Sequence, residues 1–125
     1  MKTNGEIIRS VNDKKPIFTV TAGRTGTTYV SRLFGLLPET HAVHEAQPNF
    51  VSVMRRAQLD PQAGLAFCAN IKLPHIARTR EARYVETSHV FCKGFLECFL
   101  KLGVMPQLLL LQRAPRKVAD RKSVV

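Results

Sequence analysis

At 125 residues the chain has the length of one domain with one modest core. Its 45% hydrophobic and 22% charged contents are ordinary for a globular protein, and no apolar run approaches the roughly 18 residues that span a bilayer. The net charge of +10 is not ordinary: it points to an anionic partner, and it is uneven, at about +3 over residues 1–60 and about +7 over residues 61–125.

The first fifteen residues, MKTNGEIIRSVNDKK, are polar and charged and read as a ragged lead-in before a domain over residues 16–125. They contain no apolar h-region, so no secretory signal is expected, and the expected location is the cytoplasm. Ile17 to Thr21 reads as a buried strand of β-branched and aromatic residues. It runs into the loop Ala22-Gly23-Arg24-Thr25-Gly26-Thr27-Thr28. The periodicity then becomes helical at Val30, Leu33, Phe34 and Leu37, and Pro38 stops the helix. Strand, glycine loop and helix start make an anion cradle, because unpaired N–H groups and the helix dipole both face the loop. Arg24 sits inside it, with hydroxyls at Thr25, Thr27 and Thr28.

His41 to Glu45 reads as a second strand, and Pro48 as the start of a helix bearing Phe50, Val51, Val53, Met54 and Ala57. Asp60-Pro61 forms an N-cap and first-turn pair for a helix to about Lys72, interrupted by Pro74. A basic helical piece is expected over His75–Ala82 and a third strand over Arg83–Glu86. Thr87 or Ser88 can cap the next helix. Its stripe is Phe91, Phe95, Cys98, Phe99 and Leu102, and Gly103 suits the position after its end. Gln107 to Gln112 is a continuous apolar strand, expected at the centre of a parallel sheet, and a last helix starts at Ala114-Pro115. Strands alternating with helices imply an α/β fold, a three-layer sandwich around a parallel sheet. Cys68, Cys92 and Cys98 show no CxxC pair and no metal spacing, and read as buried free thiols in a reducing compartment; no metal is expected.

The loop is not a Walker A sequence, since no Gly-Lys-Ser/Thr follows, which argues against ordinary ATP or GTP hydrolysis. TAGRTGTTYV resembles instead the 5′-phosphosulfate loop of the sulfotransferase family. HEAQPNF at His44–Phe50 resembles that family's segment after the second strand. LLLLQRAPRKVAD at Leu108–Asp120 resembles its 3′-phosphate segment. The three stand in family order, each at the carboxyl end of a strand, where open α/β sheets bind ligands.

The resemblance covers residues 16–120 and implies a P-loop-like fold and a sulfonate donor, 3′-phosphoadenosine 5′-phosphosulfate (PAPS). Gly23, Arg24, Thr25, Gly26, Thr27 and Thr28 would hold the phosphosulfate, and Arg113 the 3′-phosphate through a charge-assisted contact. Arg24 would stabilise the leaving phosphate, and Glu45 would take the acceptor proton. His44 is the competing base; on a strand it points away from Glu45. The other histidines, His41, His75 and His89, read as structural or exposed. Arg116 reads as a partner for a carboxylate.

Two departures from the family stand out. Arg121 occupies the place where members usually carry a serine for the 3′-phosphate, with Ser123 two residues late. The chain also ends just after that motif, so the resemblance implies the N-terminal part of a longer domain, incomplete at the C-terminus. The implied partners are PAPS or adenosine 3′,5′-bisphosphate and an acceptor bearing a hydroxyl or amine. Dimerisation through an exposed sheet edge is left open. The alternatives are an inactive fragment with residual nucleotide binding and a basic nucleic-acid-binding module. The second is disfavoured by two tyrosines and no tryptophan for stacking.

Overall fold

The computed structural model describes residues 3–20 and 27–111, with the backbone alone described at residues 27 and 28. Four parallel strands form one sheet: β1 (Ile17–Val20), β2 (Thr40–His44), β3 (Arg83–Thr87) and β4 (Gln107–Leu110), in the order β2-β3-β1-β4. Parallel neighbours need crossovers, and helices supply them. The α/β architecture with a central parallel sheet is therefore present.

Register assigns the two faces of the sheet. Phe18 lies beside Glu86, and Glu86 beside Val43, so these three share a face with Tyr84 and His41. Ile17, Ala42 and Val85 share the other, with His44 and Thr87. Helix α2 (Thr27–Gly35) covers this second face, where Gly35 approaches Ala42. Its apolar stripe is only partly used: Val30 and Phe34 are half-buried, while Leu33 and Leu37 remain exposed.

The first face carries the core. Phe18 stacks on Phe91 at 4.1 Å between ring centres and meets Phe50 and Phe99 edge-on. Phe95 and Phe67 extend the cluster through Phe50. Besides Phe18 of β1, these rings come from Phe50, just before α3 (Val51–Leu59), from the end of α4 (Pro61–Phe67), and from the segment that ends in α6 (Leu96–Lys101).

Several elements differ from expectation. The N-terminal lead-in is a helix, α1 (Asn4–Asp13), capped by Thr3 Oγ1 accepting from Glu6 N–H. It packs on α5 (Leu73–Ala77), burying Val11, with Ile7 and Ile8 against the core. Pro74 does not interrupt the helix begun at Asp60-Pro61. A π-helical turn over Cys68–Lys72 joins α4 to α5, and Pro74 is carried in the first turn of α5 directly after it. That helix stops at Ala77 rather than Ala82.

The Phe91–Leu102 stripe is not one regular helix, because Lys93 and Gly94 leave helical geometry and Gly94 takes φ +108°. All four stripe residues from Phe91 to Phe99 are nonetheless buried. Gly103, at φ +93°, closes α6 as expected. Pro48 precedes α3 in a cis peptide instead of opening it. Strand β4 lies at the sheet edge among the described residues, not at its centre, with Leu110 60% exposed. No described helix is long and apolar enough to cross a membrane. Residues 112–125, including the expected last helix, lie outside the described residues.

Phe18 is the hub of the ring cluster, so Phe18→Ala is expected to cost about 3–5 kcal/mol. Urea unfolding followed by far-UV circular dichroism checks this. A loss below about 1 kcal/mol would contradict the assignment of the core to this face.

Candidate functional site

The carboxyl ends of the parallel strands β1, β2 and β3 lie at one edge of the sheet, and α2, the next described element after β1, begins at Thr27 and packs on β2 and β3. Pairing between β1 and β3 ends at Phe18 and Glu86. Beyond that point Thr19 replaces the ladder with its side chain: Oγ1 accepts from Ser88 N–H at 2.9 Å and donates to Ser88 O at 3.2 Å. Both groups are buried and would otherwise lack partners. The strands therefore separate at this edge while staying joined. Ser88 Oγ accepts from Val90 N–H, a cap for the turn that follows.

Glu45 is the first residue beyond β2. It adopts φ +46°, a left-handed conformation that costs a non-glycine residue about 1–2 kcal/mol. The turn is held from β3 by Glu45 N–H donating to Thr87 O at 2.9 Å. The unusual backbone swings the Glu45 side chain towards the end of β3. There its Oε1 lies in close contact with His89 Nδ1, while having no hydrogen-bond partner among the described residues. The His89 side chain is 45% exposed and that of Glu45 22%, although the contacting Oε1 is itself buried.

His44 lies on the α2 face of the sheet, where its Nδ1 bonds Thr87 Oγ1 at 2.8 Å. The two candidate bases therefore have different partners. Of the histidines read as structural, His41 fits: it stacks on Tyr84 and pairs with Glu81 at 3.3 Å. His75, on α5, is held below its usual range first by burial and then by Lys72, Arg78 and His41. His89 is exposed, as expected, and it also lies against Glu45, a juxtaposition the sequence did not suggest.

Beneath the Glu45 turn lies a polar network that residue spacing did not suggest. Lys72, from the π turn, and Glu86, from β3, are both fully buried and 2.8 Å apart. Lys72 Nζ also donates to Ala46 O at 3.2 Å and to Pro48 O at 2.8 Å, and lies 4.8 Å from the centre of the Phe50 ring. Three acceptors saturate the three N–H donors of an ammonium. Tyr84 Oη donates to Glu86 Oε1 at 2.6 Å, while Glu86 Oε2 has no partner among the described residues. Burial lowers the Lys72 ammonium and raises the Glu86 carboxyl; the contact between them opposes both shifts.

Thr27 and Thr28 open α2. Gly23, Arg24, Thr25 and Gly26 lie outside the described residues, as do Arg113, Arg116, Arg121 and Ser123. Of the thiols, Cys68 and Cys98 are buried, but Cys92 is exposed, contrary to expectation. Burial drives the Cys68 thiol well above its usual range, with Cys98 beside it. Among the described residues no group of three or more His, Cys, Asp or Glu side chains is arranged to hold a metal ion. Comparison with protein-family models, with curated proteins and with solved structures finds no match to this chain.

Burial, and secondarily Glu86, raise the Tyr84 phenol well above its ordinary value near 10. The unfolded chain therefore releases this proton first as pH rises. Tyr84 contributes stability that is intact below pH 10 and is lost as pH climbs above it. In an alkaline titration followed by phenolate absorbance and circular dichroism, Tyr84 should ionise only together with unfolding. Ionisation of both tyrosines in a still-folded chain would show that Tyr84 is not sealed in the core.

Proposed function

We propose that this chain binds PAPS and transfers its sulfonate group to an acceptor hydroxyl or amine. The observation that carries the proposal is the contact of Glu45 with His89 at the carboxyl edge of a parallel sheet. Open parallel sheets bind ligands at this edge, and a helix start favours a phosphate. The order of the loop at Gly23–Thr28, the Glu45 segment and Arg113 along the chain supports the same reading.

In the proposed reaction Glu45 accepts the proton of the acceptor group as its oxygen or nitrogen attacks sulfur. The bond between sulfur and the bridging phosphate oxygen breaks, and adenosine 3′,5′-bisphosphate leaves. Arg24 and the backbone amides at the start of α2 face the charge that builds on that oxygen, the electrostatic contribution that is commonly the largest. Arg113 holds the 3′-phosphate, and Arg121 adds a second cation there. His89 orients the Glu45 carboxylate. His44, committed to Thr87 Oγ1, serves the sheet rather than the proton transfer.

Calorimetric titration with adenosine 3′,5′-bisphosphate should give saturable binding. Arg24→Ala and Arg113→Ala should each weaken it by about 1.5–3 kcal/mol, the range for a hydrogen bond to a charged group. In a sulfonate-transfer assay across hydroxyl and amine acceptors, Glu45→Gln should lower the rate by about 10²–10⁴-fold with nucleotide binding retained. Absence of nucleotide binding by the wild-type chain would refute the proposal. Binding dominated by a steep salt-dependent affinity for DNA or RNA would favour a nucleic-acid module in its place.

A further inference from the structure

Glu45 stands in an unfavourable backbone conformation, and a strained residue persists only where its surroundings over-determine it. Upstream, β2 and the bond to Thr87 O fix its amide. Downstream, the turn Ala46–Pro48 has no strand partner. Its carbonyls at Ala46 and Pro48 are instead taken by one buried group, Lys72 Nζ. Glu86 holds that group from β3, and the Phe50 ring closes over it. An apolar side chain of similar volume could fill this space without the desolvation of two charges. It would leave both carbonyls unpaired and the turn undirected.

We propose that Lys72 is a positioning residue for Glu45: by binding the Ala46 and Pro48 carbonyls it sets the turn that holds the Glu45 carboxylate against His89. The inference rests on the reading of Glu45 as the proton acceptor. Lys72 is sealed from solvent and meets neither donor nor acceptor, so it acts only through the turn.

The test uses the full chain with Lys72→Met and Glu86→Gln combined, which removes the ammonium without stranding its carboxylate. The readout is the long-range ¹H–¹⁵N spectrum of the imidazole rings, with the His89 signals assigned from His89→Gln. Glu45→Gln defines the signal of a His89 without its carboxylate. The folded double variant should move the His89 signals to the positions seen in Glu45→Gln. Tyr84→Phe, which disturbs the same core but leaves both carbonyl bonds, should keep the wild-type signals.

Where transfer is measurable, the double variant should lose about 10²-fold in kcat, the scale of a misplaced reacting group, with KM for the donor little changed. A folded double variant with wild-type His89 signals would overturn the inference. Lys72→Gln with Glu86→Gln is the second variant, expected to shift the signals part-way. If neither double variant folds, the ion pair is a requirement of the fold and the positioning role is rejected. Nucleotide binding by the wild-type chain is scored separately, so failure of the proposed reaction and failure of the Lys72 role give different results.

Discussion

Two opposite charges with no access to water, Lys72 and Glu86, tie together three parts of the chain that are distant in sequence. One lies in the π turn between α4 and α5, the other in β3, and the turn after β2 hangs from both. Desolvating such a pair costs several kcal/mol per ion, and the attraction repays this only with good geometry and further hydrogen bonds. Here the ammonium has all three donors placed, and the carboxylate has a second donor in Tyr84. The π turn contributes by widening the helix where Lys72 must reach inward. The core and the candidate site thus share one constraint.

Much of the fold is legible in the sequence because short-range chemistry dictates it. Ile17, Phe18 and Val20 specify a buried strand, Asp60-Pro61 a helix start, and Gly103 a helix end, and the structure carries all three. The misreadings share a physical origin. Helix α1 is polar apart from Ile7, Ile8 and Val11, and only packing against α5 makes that narrow stripe sufficient. Pro74 reads as a breaker unless a wider turn precedes it. The leucine run at Leu108–Leu111 is as apolar as a central strand, yet a run's hydrophobicity does not record how many neighbours the strand has.

The candidate site was legible only in part. Glu45 stands out by its place after the second strand. His89 does not, because nothing within its own segment distinguishes it from a surface histidine; the juxtaposition exists only once β2 and β3 pair in register. Lys72 is the harder case. A lysine on a helix is expected in solvent, and its partner Glu86 is fourteen residues away with helix α5 and a turn between. The signal that could have pointed there is Glu86 itself, a carboxylate on an otherwise inward-facing β3 that must find a cation.

The sheet is not equally stitched across its width. β2 and β3 are registered over five residue pairs, and β1 and β4 over four, but the line between β1 and β3 has only two before Thr19 takes over with its hydroxyl. That line divides the strand leading into the Gly23–Thr28 loop from the strands carrying Glu45 and His89. The described sheet is thereby two longer-paired ribbons joined along a shorter-paired seam, and the seam borders the candidate site. A shear of one ribbon along the other changes the gap between the two halves of the site while leaving each half intact. Among the described residues, the hydrogen bonds that cross the seam at that end are the two made by the hydroxyl of one threonine, Thr19.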